Sequence, residues 1–204
     1  DPSLQIQQDL LMSRQNSSQV TAAPDPAVLQ ARTRSLLELV GSETLLAGDV
    51  DSVLLKVTES ALHCLNGHRS TIWFVQEDDN GLEVLRRRSS SGADNPEEPE
   101  AQSGRPLPNE WFDLDRSSVL MLPSGDNSRS TKTVLDSLTT LKGRCSMLGA
   151  PVEFNGEIVG AVCVESMDER SWSAEDRDFA VALASIVTSA LAANEHHQIS
   201  DHII

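Results

Sequence analysis

The segment from Ser146 to Ser166 constrains the fold more than any other part of the chain. Met147-Leu148-Gly149-Ala150-Pro151-Val152-Glu153-Phe154 and Ile158-Val159-Gly160-Ala161-Val162-Cys163-Val164 are two apolar runs joined across Asn155-Gly156. Asn-Gly in that place supplies the positive φ angles that a tight hairpin turn requires. The second run is apolar on both faces, which places it near the centre of a sheet covered on both sides. Period-two alternation puts Ala161, Cys163 and Glu165 on one face and Gly160, Val162 and Val164 on the other. A helix-covered face would leave the Glu165 carboxylate buried and unpaired, at high cost, so Cys163 and Glu165 are expected on the face away from the helices.

The remaining elements are read from caps and periodicity. Ser173 and Asp176 form a capping-box pattern that opens a long Ala-rich helix to about His197. One apolar stripe on it is Phe179, Leu183, Ile186, Ala190 and Ala193; a second is Val181, Ala184, Thr188 and Leu191. Two stripes imply two partners, the sheet and either the other helices or the same helix of a second chain. Asp25-Pro26 starts a first helix with Leu29, Leu36, Leu37 and Val40 as its stripe, closed by Gly41. Asp49 to Asp51 starts a second, with Val50, Leu54, Val57, Ala61 and Leu65, stopped by Gly67. Ser70 to Val75 and Leu82 to Ser89, around Asp78-Asp79-Asn80-Gly81, predict another hairpin. Residues 89–104 carry serines, glycines, prolines and carboxylates with little to bury and are expected to be a mobile acidic insertion. Val119 to Leu122 predicts a short strand and Thr133 to Leu141 a short helix.

Composition narrows the function. Sixteen Lys and Arg against thirty-one Asp and Glu give a net charge of -15, which repels phosphate backbones and anionic lipid surfaces. Nucleic acid and direct membrane contact are therefore disfavoured as partners. The longest mostly apolar stretch, Phe179 to Ala193, falls short of the roughly 20 residues that cross a bilayer. Three cysteines cannot all pair within one chain, which fits free thiols and a cytoplasmic location. Residues 1–24, rich in Gln, Ser and Asn, read as a flexible arm or linker, 25–197 as the folded domain, and 198–204 as a tail leading to a missing output domain. The start at Asp1 without a leader reads as an excerpt of a longer protein.

The run "FNGEIVGAVCVES" followed by "RSWSAEDRDFAVALASIVTSAL", behind two helices and an antiparallel sheet, resembles the GAF domain, a small-molecule-sensing module of bacterial signalling proteins and phosphodiesterases. The resemblance spans about residues 27–197 and is most specific from Gly149 to Leu191. It implies an α+β fold: a central antiparallel sheet of about six strands, the N- and C-terminal helices on one face, and a ligand cavity on the other. The cavity wall would include residues near Trp73, alternate residues of the 158–165 strand and a lid over 105–145. On this basis the ligand-binding candidates are Trp73, Trp111, Arg144, Cys145, Cys163 and Glu165. The resemblance further implies a regulatory module that is not itself an enzyme, coupled to an attached output domain such as a cyclase, phosphodiesterase or histidine kinase. A homodimer through the terminal helices is the expected assembly.

Other constellations are weaker. His63, Cys64 and His68 are close in sequence, but His63 and Cys64 point about 100° apart on a helix, and no second ligand pair lies nearby. His196, His197 and His202 resemble a metal tract only by composition. Arg86-Arg87-Arg88 reads as one alternating strand, and Trp111-Phe112 as a pin or a lid. Free methionine sulfoxide reductases, which are GAF-like enzymes, use cysteines near the pocket; Arg144 beside Cys145 would favour a thiolate, yet "GRCSMLGAPV" does not match their signature. The Asn-Lys-x-Phe-Asp-Glu pattern of cyclic-nucleotide GAF domains and the Asp-Ile-Pro segment of bilin-binding ones are both absent. The alternatives to a sensor are a structural dimerisation module whose cavity is filled by Trp73 and Met147, and a thiol-dependent enzyme. The sequence specifies no cofactor.

Overall fold

The computed structural model describes residues 25–92, 105–106, 120–122, 146–168 and 170–201. Among the described residues four helices, α1 (Pro26–Val40), α2 (Glu43–Leu46), α3 (Val50–Cys64) and α4 (Ala174–Asp201), accompany six strands, β1 (Arg69–Glu77), β2 (Glu83–Gly92), β3 (Arg105–Pro106), β4 (Leu120–Leu122), β5 (Ser146–Phe154) and β6 (Glu157–Ser166). The strands form one antiparallel sheet in the order β3-β2-β1-β6-β5-β4. The expected arm at 1–24, the residues of the acidic insertion after Gly92 and the expected helix at 133–141 lie outside the described residues.

The Asn155-Gly156 turn forms as its chemistry dictates, with φ of 51° and 86° at its two central residues. It holds β5 and β6 in register from Ser146–Ser166 to Phe154–Glu157, with one shift beside Val152. Gly160 sits where β6 passes β1: a Cβ there would lie 2.3 Å from the Trp73 carbonyl oxygen and 2.8 Å from the Phe74 ring. Only glycine allows the two central strands to approach so closely.

One face of the sheet carries the core. Ile72 and Phe74 from β1, Leu148, Ala150 and Val152 from β5, and Val162 and Val164 from β6 pack in one cluster with α3 and α4. From α3 come Val53, Leu54, Val57 and Ala61; from α4 come Phe179, Leu183, Val187 and Ala190. Each fully buried aliphatic side chain of this kind is worth roughly 1.5–3 kcal/mol. α3 lies over β1 and β2, α4 lies over β5, and α1 rests on α3 and α4, outside the sheet layer.

Several expectations need correction. The α1 stripe of Leu29, Leu36, Leu37 and Val40 is not the packed one: Leu29, Leu37 and Val40 are exposed, Leu36 is half-buried, and Arg32 and Leu39 point inward. The reason is electrostatic, because Arg32 bonds Asp176 of α4 and the Cys64 carbonyl, and this fixes the rotation of α1. Residues 89–92, assigned by composition to the insertion, belong to β2, where the Ser89 and Ser91 hydroxyls bond Thr58 of α3 at 3.2 and 2.9 Å. The second α4 stripe is largely covered within the chain: Ala184 is buried, Leu191 packs against the core, and Thr188 donates to the Glu153 carbonyl at 2.7 Å. Only Val181 of that stripe is exposed. α4 also runs to Asp201, past the expected end near His197. By length and composition α4 could cross a bilayer, with a mean hydropathy of 1.2 over its apolar window. Its apolar side lies in the core cluster instead.

The entrance to α4 is knotted by charge. Ser173 Oγ accepts from the Asp176 amide at 3.1 Å while the Asp176 carboxylate accepts from the Ser173 amide at 2.9 Å, a reciprocal cap. The same carboxylate takes Arg32 from α1 and Arg170 from the preceding loop. Arg170 also donates to the Leu65 carbonyl at 2.7 Å and covers the Trp172 ring at 4.0 Å. Burial works to raise the Asp176 pKa, but the Ser173 amide and the two guanidiniums outweigh it and hold the carboxyl below the ordinary range.

Candidate functional site

The sheet face away from the helices is the candidate site. Its residues follow from the pleat: Arg69, Thr71 and Trp73 alternate along β1 with the core residues, and Ala161, Cys163 and Glu165 do so along β6. Antiparallel register sets Arg69 opposite Glu165, Thr71 opposite Cys163, and Trp73 opposite Ala161. Met147 of β5 flanks Glu165 on its other side. From β2, Ser90 lies beside Thr71, Arg87 beside Trp73 and Leu85 beside Val75.

This face is buried although it carries charge. Arg69 is 1% exposed and Glu165 0%, and Thr71, Cys163, Met147 and Leu85 are equally inaccessible. Directly opposed cross-strand residues bring their Cβ atoms within about 5.5 Å, so two buried side chains of opposite charge type leave adjacent strands side by side. Burying such a pair costs desolvation of both partners, which hydrophobic residues of similar volume would avoid. Arg69 Nε reaches Ser90 Oγ at 3.4 Å, and Trp73 Nε1 donates to Thr71 Oγ1 at 3.1 Å. Polar groups thus run across three adjacent strands.

Sequence reasoning put Cys163 and Glu165 on this face, and the structure has them there, on the side opposite Val162 and Val164. Trp73 shares that face, two residues from Thr71. Trp111, Arg144 and Cys145 lie outside the described residues, as does the expected lid over 105–145 apart from β3 and β4. Arg69 was missed. It precedes the apolar run that announced β1, and its role appears only once the β1–β6 register sets it against Glu165.

The two described thiols, Cys64 and Cys163, are held in the protonated form by burial. Full burial, with Glu165 nearby, pushes the Cys163 thiol far above its ordinary range, and burial raises Cys64 as well. His63 is exposed, and His68 Nδ1 accepts the Met167 amide at 3.2 Å, so the His63-Cys64-His68 group is spent on separate tasks. Among the described residues no group of three or more His, Cys, Asp or Glu could hold a metal ion.

The GAF domain family model matches residues 49–191, most of the chain and all of β1, β2, β5 and β6. The chain belongs to the GAF domain family. The GAF domain from an Acinetobacter phosphoenolpyruvate-protein phosphotransferase superposes with a TM-score of 0.59 at 17% identity, covering 86% of this chain and 98% of that one. The free methionine-R-sulfoxide reductase from Neisseria meningitidis, solved in complex with its substrate, gives 0.60 at 13% identity over 86% and 96%. A bacteriophytochrome from the photosynthetic bacterium R. palustris gives 0.64 at 11% identity, covering 88% of this chain and 40% of that larger one. No curated protein sequence matches. At these identities the likeness establishes the fold, an α+β GAF domain, and leaves the chemistry to the residues.

Proposed function

We propose that this GAF domain is the sensory module of a bacterial signalling protein and binds a small molecule on the sheet face opposite its helices. The observation that carries the reading is the buried Arg69–Glu165 juxtaposition, with Thr71 and Ser90 beside it. Two buried charged side chains cost desolvation that an apolar filling would avoid, and a binding face uses them to orient a polar ligand within apolar walls such as Trp73 and Met147. The ligand acts by population shift: whatever contacts β1 and β6 better in one arrangement biases the helices that share their core. The module is not an enzyme in this reading. The raised thiols of Cys64 and Cys163 support that, since a thiol-dependent reaction needs an accessible thiolate.

We further propose a cytoplasmic homodimer through the terminal helices. It is supported by α1, whose Val28, Leu29, Leu37 and Val40 are exposed together with Val181 and Ile199 of α4. Native mass spectrometry of the freshly purified chain tests both parts. A dimer with a defined small-molecule adduct that is lost in Glu165→Gln is the expected result. A monomer removes the dimer, and an adduct unaffected by Glu165→Gln removes this face as the site.

A further inference from the structure

A cavity lies on the other side of the sheet, among the helices, and none of the six ligand-binding candidates read from the sequence lines it. Its volume is about 540 Å³, within the range of small-molecule sites. The floor is apolar, made by Phe74, Val159 and Leu191, and Phe154 of the β5–β6 hairpin stands at one side. Gln76 of β1 and Asn194 of α4 bring two primary carboxamides to the wall. Neither amide has a hydrogen-bond partner among the described residues, and both are half-buried. A carboxamide offers donors and an acceptor side by side, so two of them in a cleft that Phe74 and Phe154 also line match a planar molecule with the same alternation on its edge.

The rim decides the charge of that molecule. Two features here could attract an anion, the start of α3 and the guanidinium of Arg88. Both are already matched by carboxylates. Asp49 caps α3 by accepting the Ser52 amide at 3.2 Å, and Asp51 holds Arg88 at 3.0 Å. Among the lining residues an incoming carboxylate or phosphate would meet Asp49 and Asp51 with the one guanidinium, Arg88, already paired, while Lys56, the cation whose field reaches Asp49, lies outside the lining and donates to Thr44 Oγ1 at 3.1 Å.

We propose that this cleft is a second ligand site, selective for a small neutral heterocycle bearing a carboxamide or lactam edge. Its position gives occupancy a consequence. Leu191 and Asn194 belong to the late turns of α4, where His197 Nε2 meets the Leu46 carbonyl at 3.2 Å, so a bound molecule bridges α4 to the α2–α3 turn and the sheet. The site is distinct from the Arg69–Glu165 face and stands whether or not that face binds a ligand.

The test uses isosteric pairs that differ by one carboxylate: nicotinamide with nicotinate, and uracil with orotate, titrated into the 15N-labelled full chain and followed by amide and side-chain carboxamide NMR shifts. The expected result is that at least one neutral member shifts the Gln76 and Asn194 side-chain signals, with a dissociation constant of about 1 mM or tighter. Its carboxylated twin binds at least about tenfold more weakly. Gln76→Leu, which removes one carboxamide, and Val159→Phe, which fills the floor, each weaken the neutral ligand about tenfold or more, with the Trp172 environment unchanged as a check on folding. The proposal is overturned if no neutral member moves those signals at about 10 mM, if shifts fall only on Thr71, Cys163 and Glu165, if the carboxylated twin binds as well, or if a folded variant binds unchanged.

Discussion

Replacing Asp176 by Ala removes the one group on which α1, the loop before α4 and the first turn of α4 all converge. Its side chain is 9% exposed, that of Arg32 is 10% and that of Arg170 is 26%, so the substitution strands one guanidinium in a nearly dry site and a second in a partly wet one. Breaking a buried pair from one side costs about 3–5 kcal/mol, and losing the cap adds about 1 kcal/mol. Arg32 keeps its bonds to the Cys64 carbonyl, at 3.3 and 3.4 Å, and its place over the Phe179 ring at 5.5 Å, which puts the expected cost at the lower end of that sum, about 4 kcal/mol. Urea unfolding read by tryptophan fluorescence measures it, with Trp172 under the Arg170 guanidinium as the local reporter. The double variant Arg32→Met/Asp176→Ala should be less destabilised than the sum of the single variants by about 0.5–3 kcal/mol, because the second change removes the stranded charge. The same carboxylate sets a pH dependence. Its folded pKa is depressed, so its stabilisation is complete above the unfolded value of about 3.9 and is lost as pH falls through the lower folded value. A cost below about 1 kcal/mol for Asp176→Ala, or strictly additive single changes, would refute the idea of a buried knot and reduce it to a surface pair.

Three further outcomes follow from the packing. Gly160→Ala drives a Cβ into the Trp73 carbonyl and the Phe74 ring and should cost about 1–3 kcal/mol or more in thermal unfolding; a neutral substitution would mean that the β1–β6 spacing relaxes freely. Thr58→Val keeps the volume but removes the hydroxyl that meets Ser89 and Ser91, with an expected loss of about 1–3 kcal/mol and faster amide exchange at the end of β2; unchanged exchange there would break the link between α3 and β2. Thiol labelling at pH 8 should leave Cys163 unmodified in the native state and label it on unfolding, while Cys64 reacts slowly; rapid native modification of Cys163 would show an open face and a usable thiolate.

How legible the fold was depended on how local its causes are. The β5–β6 hairpin was readable because Asn155-Gly156 forces the turn and the strand period then assigns the faces of Val162, Cys163, Val164 and Glu165 without any distant information. The α4 start was readable for the same reason, since the Ser173–Asp176 cap lies within one turn. The rotation of α1 was not, because it is set by Arg32 reaching a carboxylate 144 positions away. The end of β2 was hidden by its serines, whose hydroxyls look solvated until Thr58 arrives from α3. Half of the charged pair at the site was equally invisible: Glu165 stood out within an apolar strand, but its opposite, Arg69, needed the long-range register.

Ligand binding on the sheet face opposite the helices is the property that the sensory role requires. The most direct test is a small-metabolite screen against the 15N-labelled chain, with every hit mapped by amide shifts on the wild type and on Glu165→Gln. The expected result is a ligand whose shifts centre on Arg69 to Trp73 and Ala161 to Glu165 and whose affinity falls about tenfold or more in the variant. Hits that bind wild type and variant equally, or a chain on which no compound moves those strands, would contradict it.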